Sequence, residues 1–92
     1  MLFAAEALFK PGIEPERDRL HEAFGGHLAQ LALGVRLAGV LRDKHGERRG
    51  VLLLVEAPDW ASAEAFVAAS PYAGLYARVE ISELTIEAGR LV

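Results

Sequence analysis

Residues 35–56 read VRLAGVLRDKHGERRGVLLLVE, two apolar runs around a charged turn. In the second run, Gly50–Glu56, the apolar side chains are nearly continuous, which predicts a strand buried on both faces. In the first, Val35, Leu37, Gly39 and Leu41 alternate with Arg36, Ala38, Val40 and Arg42, the two-residue period of a strand. Between them, Asp43-Lys44-His45-Gly46 supplies turn chemistry, with a glycine able to take positive φ. Strand, turn and strand make an antiparallel hairpin.

The flanks of this hairpin complete the fold. Leu2–Leu8 is a compact apolar run closed by Lys10-Pro11-Gly12, and reads as a strand. Pro15 suits a first helical turn, and Glu14 and Glu16 sit well beside the positive helix end. The helix is expected from about residue 14 to 33, with Gly34 as its stop. Gly25-Gly26 is its weak point, at roughly 1 kcal/mol per glycine, and implies a bend or a close neighbour. Downstream, Asp59 caps a second helix whose stripe is Trp60, Ala63, Phe66 and Val67. That helix ends near Ser70-Pro71, because proline disfavours the α region in the residue before it. Val79–Glu87 supplies a last strand, with Val79 and Ile81 on one face and a slip in the alternation before Leu84. The order β-α-β-β-α-β is the ferredoxin-like arrangement, an α+β fold on an antiparallel sheet, with residues 1–92 as a single domain.

Composition narrows the function. At 92 residues and 52% hydrophobic, the chain carries more apolar material than so small a domain hides, so a homodimer or higher oligomer is expected. A net charge of -3 argues against nucleic acid. RNA binding on a sheet of this topology would also need exposed aromatics, and the strands offer Leu, Val and Ala. Without cysteine there is no disulfide and no thiolate chemistry. Met1–Phe9 has no basic start and is too short to span a membrane, so no membrane partner is expected and the default location is cytoplasmic.

One residue interrupts the core pattern. Leu20, Phe24, His27 and Leu31 share one side of the first helix, and only His27 is polar. Such an imidazole is either a general acid or base at a pocket, or a core-edge group bonded to a backbone carbonyl or water. His21 lies on the other flank of the stripe, and His45 in the charged turn reads as a solvated residue. The three histidines have no metal-ligand spacing, so no metal and no other cofactor is expected.

Several segments fall in a familiar order: HLAQL at 27–31, LAG at 37–39, Asp43 with Gly46, GVLLLVEA at 50–57, AEAF at 63–66 and SPYA-GL at 70–75. Over nearly its whole length the chain resembles the YCII-related (YciI-like) family. The resemblance implies a dimeric α+β barrel, two ferredoxin-like subunits packed sheet against sheet, with a His–Asp pair as active site. Some members are linked to dehalogenation of chlorinated aromatic rings, and most have no assigned reaction. The chain departs from the family pattern at Ser70, which replaces the Asp before Pro-Tyr, and at Val40, which replaces the proline of AGP. The stretch between HLAQL and LAG is also shorter than usual, which leaves His21 as an alternative to His27 for the family position.

The resemblance implies a small apolar cleft lined by His27 and Ser70. His27 would be the base in a cofactor-free proton transfer or elimination, a lyase- or isomerase-like step on a small cyclic or aromatic molecule. Ser70 or Tyr72 would position that ligand. Asp43 either shapes the turn with Gly46 or rims the pocket. The alternative is a non-catalytic module that binds a small ligand or a partner and has lost the acid. A monooxygenase-like reading rests on fold analogy alone.

Overall fold

The computed structural model describes residues 1–29 and 34–90. Its elements are β1 (Leu2–Phe9), α1 (Glu14–Leu28), β2 (Gly34–Arg42), β3 (Arg48–Glu56), α2 (Trp60–Ala68) and β4 (Tyr76–Glu83), with a short 3₁₀ turn at Ala73–Leu75. The strands form one sheet in the order β2-β3-β1-β4, and every pairing is antiparallel. This is the ferredoxin-like α+β fold expected from the element order.

The sheet's two faces differ in chemistry because side chains alternate along each strand. Phe3, Ala5 and Ala7 of β1 and Val51, Leu53 and Val55 of β3 point to the helices and are buried. Phe24 of α1 and Phe66 and Val67 of α2 close this core. Leu52 and Leu54 point the other way and are only half-buried, with no helix across from them. The expectation that Gly50–Glu56 is buried on both faces is therefore corrected: among the described residues the helices cover one face, and Leu52 and Leu54 on the other are only half-buried.

Local chemistry sets the element ends. α1 starts at Glu14 with Pro15 in its first turn, flanked there by Glu14 and Glu16. The Asp59 carboxylate accepts the Ser62 N–H at 2.8 Å and caps α2. The hairpin turn is closed by Asp43, whose Oδ1 accepts the N–H groups of His45 (2.8 Å) and Glu47 (3.1 Å), while Gly46 takes φ 81°.

Four boundaries differ from expectation. Residues 30–33, including Leu31 and the expected end of the helix, lie outside the described residues; Gly34 opens β2 rather than ending α1. α1 runs through Gly25-Gly26, and a Cβ on either would meet no heavy atom within 4 Å, so the pair is not there to admit a close neighbour. In β2 the register shifts between Val35 and Leu37, a bulge at Arg36 that splits the expected face. Val35 then opposes the buried Val55, while Leu37 opposes Leu54 on the uncovered side. Finally, the last strand is Tyr76–Glu83, and its irregular register lies opposite Leu8 and Phe9 instead of before Leu84. Val79 and Ile81 do share a face, opposite Ala7 and Ala5.

Candidate functional site

His27 is 5% exposed and reaches across to α2, with Nε2 2.9 Å from the Phe66 carbonyl oxygen. A carbonyl only accepts, so Nε2 carries the proton of this bond. The reason lies in how α2 ends. The last carbonyls of a helix lose their N–H partners, and the Ser70 N–H that would reach Phe66 instead meets Val67 O at 3.2 Å. His27 supplies the donor that Phe66 lacks, and its ring stacks on the Phe66 ring at 4.2 Å and 15°. This is the core-edge reading, a histidine bonded to a backbone carbonyl. His27 lines none of the clefts described below.

Ser70 is also buried and also committed to local structure. Its Oγ accepts the Tyr72 N–H at 3.1 Å and lies 3.3 Å from the Tyr76 hydroxyl. The hydroxyl thereby pins the turn between α2 and β4 and ties it to the edge strand. Burial raises the Tyr76 phenol above its ordinary range, against the Ser70 bond, which lowers it.

A different histidine meets a cavity. Arg17, His21 and Phe24 lie four and three residues apart on α1, on one face. With Phe9, Val40, Arg48, Gly50, Val51 and Tyr72 they enclose an apolar slot of about 110 Å³ between α1 and the sheet. Tyr72 forms the floor: it is buried, stacks on Phe24 at 4.1 Å and 12°, and meets Phe9 edge-on at 5.7 Å. Its phenol is pushed above the usual tyrosine range, chiefly by burial, with Arg17 and Arg48 pulling the other way. It is therefore a neutral hydroxyl at neutral pH. Gly50 is part of the architecture, because a Cβ there would sit 2.1 Å from Ala7 O.

Two polar clefts adjoin the slot. One, about 310 Å³, is lined by Glu14, Arg17, Glu47 and Arg48. The other, about 350 Å³, runs between the β1–α1 turn and the hairpin and includes Asp43. Asp43 thus both shapes the turn and rims a cleft. Arg17 and Arg48 stand at the junction of slot and polar cleft. Among the described residues, no three His, Asp or Glu side chains converge as metal ligands would.

The structure thus brings His21, Tyr72, Arg17 and Arg48 around one slot, while His27 bonds Phe66 O and Ser70 bonds Tyr72 N and Tyr76. Arg17 and Arg48 escaped the sequence reading. The signal for Arg17 was its four-residue spacing from His21; Arg48 was hidden in a turn that looks uniformly solvated.

A family model, the YCII-related domain, matches residues 1–85. The chain belongs to the YCII-related family. Among solved structures, this family member is similar to the 5-chloro-2-hydroxyhydroquinone dehydrochlorinase TftG from Burkholderia phenoliruptrix AC1100, determined in complex with 2,5-dihydroxybenzoquinone. The TM-score is 0.78 at 23% sequence identity, over 92% of this chain and 94% of that one. At that identity the likeness is one of fold. None of the curated proteins matches the chain. No helix among the described residues is long and apolar enough to cross a membrane.

Proposed function

We propose that this YCII-related protein is a cofactor-free acid–base protein for a small cyclic molecule, with the ring in the apolar slot and His21 as the proton-transferring group. The observation that carries this reading is the division of labour between the two helix histidines. His21 walls a cavity, whereas His27 is bonded to Phe66 O. In an elimination from the keto tautomer of a halogenated, hydroxylated ring, His21 takes the proton of a ring hydroxyl and the O–H electron pair becomes a C=O π bond. The adjacent C=C pair shifts one bond toward the carbon that bears the halide, and the halide departs with its own pair, leaving a quinone. The Tyr72 hydroxyl, neutral and part-buried, donates to Arg17 O over a long 3.5 Å, a bond that a ring oxygen would have to replace to be held by it. The dehydrochlorinase activity of the structural neighbour is what suggests a chlorinated, hydroxylated ring as the first substrate to try.

The test is chloride release from chlorinated hydroxyquinols. His21→Gln should lower the rate by roughly 10²–10⁴-fold, the usual contribution of a positioned acid or base. His27→Gln should keep the rate within a few-fold in the protein that folds. Equal activity in wild type and His21→Gln would overturn the assignment.

A second reading has its own observation. No carboxylate is among the residues that enclose the slot, and the position where the family pattern has Asp is Ser70, occupied in a turn. A slot without an acid partner for its imidazole suits a binding module. No turnover of any ring compound, with retained binding, would favour that reading.

The partner we propose is a second copy on the uncovered sheet face. Leu2, Ala4, Leu8, Leu41, Leu52 and Leu54 lie on that face. The chain's surface of 5992 Å² exceeds the roughly 5,200 Å² expected of a 10 kDa monomer.

A further inference from the structure

The proposed proton transfer leaves two cations without a role. Arg17 is largely buried, with 14% of its side-chain surface exposed, and its Nε–H is buried with no acceptor. Its ion pair is with Asp18, the next residue, at 3.5 Å, and that carboxylate is itself 71% exposed. Arg48 makes no ion pair among the described residues, although five other arginines of the chain do. Both arginines are among the residues that line the slot. A buried guanidinium N–H without an acceptor is unfavourable, and guanidinium suits planar oxyanions because its donors form a fork.

We propose that the slot binds its ring compound as an anion, with a carboxylate or phenolate oxygen held by Arg17 and Arg48 and the ring against Phe24, Val51 and Tyr72. This rests on the slot being the ligand site; it adds the ligand's charge and the residues that read it. Arg17 and Arg48 both lie close enough to Tyr72 to lower its phenol's proton affinity, against burial and Asp18, which raise it. The slot at about 110 Å³ is of the order of a cavity of ~150 Å³ that accepts benzene, so it takes one ring and not two. The carboxylates of Glu14 and Glu47 line the neighbouring cleft beside the same arginines but not the slot. The negative group is therefore favoured on the slot side of the guanidinium pair, which orients the ring with its charged end toward the mouth and its apolar edge inward.

The experiment is an NMR titration of the full chain with sodium benzoate and with benzamide, which share shape and differ in charge. Benzoate should bind at least about tenfold more tightly, shifting His21, Phe24 and Tyr72 resonances, and the preference should shrink as salt is raised. Arg48→Gln, an exposed change that leaves the core intact, should lower benzoate affinity by about tenfold and leave benzamide unchanged. His21→Gln should keep the preference for benzoate even if it abolishes turnover, which separates this inference from the proton-transfer reading. Equal binding of the two probes, no benzoate binding at ~10 mM, or a preference that survives both Arg48→Gln and Arg17→Gln would overturn it.

Discussion

Replacing His27 by phenylalanine keeps a ring to stack on Phe66 at 4.2 Å and removes the donor to Phe66 O at 2.9 Å. No backbone N–H stands ready to replace it, because Ser70 N is turned to Val67 O and Ala69 N to Ala65 O. A buried acceptor left unpaired costs about 1–3 kcal/mol. In a domain of this length ~1 kcal/mol moves the melting temperature by about 4–8 °C, so a loss near 2 kcal/mol lowers it by about 8–16 °C. Thermal unfolding followed by circular dichroism, with urea unfolding as a check on the slope, measures this directly. His27→Ala should be worse than His27→Phe, since it also removes the stack and leaves a void. Benzoate affinity should survive His27→Phe under conditions where the variant is folded. A His27→Phe protein that melts within ~2 °C of wild type would show that the Phe66 bond is not what His27 is for.

The close approach of β1 and β3 makes Gly50→Ala destabilising by at least about 1–3 kcal/mol, because the new Cβ would lie 2.1 Å from Ala7 O and 3.0 Å from Ala7 C and Leu8 Cα, all rigid backbone; urea midpoints check it. Tyr72 and Tyr76 both have phenols raised by burial. The unfolded chain then loses these protons first, so their contribution to stability is fully present below about pH 10 and falls as pH rises beyond it. Tyrosine absorbance during alkaline titration should show ionisation later in the folded protein than in urea, and coincident curves would contradict the burial argument. On the uncovered sheet face, Leu52→Glu should convert a dimer to a monomer in sedimentation; a wild type of about 10 kDa at micromolar concentration would remove the barrel.

The hairpin, both helices and the order of elements along the chain were legible in the sequence because each rests on periodicity and turn chemistry, which are local. Asp59 and Asp43 did as their types suggest, one a cap and one a turn former. The bulge at Arg36 was not legible: it is set by pairing with β3, a contact that residue spacing alone does not encode. The half-covered state of Leu52 and Leu54 escaped for a related reason, since a continuous apolar run does not tell whether cover comes from the same chain or another. His27 shows the limit for the site. Its place on the apolar stripe was legible, but its bond to a carbonyl on another helix, 39 residues away, was not. His21 looked peripheral on that stripe, and the cavity beside it is built by Tyr72, Val40 and Arg48 from distant segments.

The central claim is that His21, not His27, faces the ligand. With the imidazole carbons labelled, the ring resonances of both histidines can be followed as benzoate is added at fixed pH. The His21 signals should move with ligand saturation while those of His27 stay in place. Movement of His27 with His21 unaffected would contradict it.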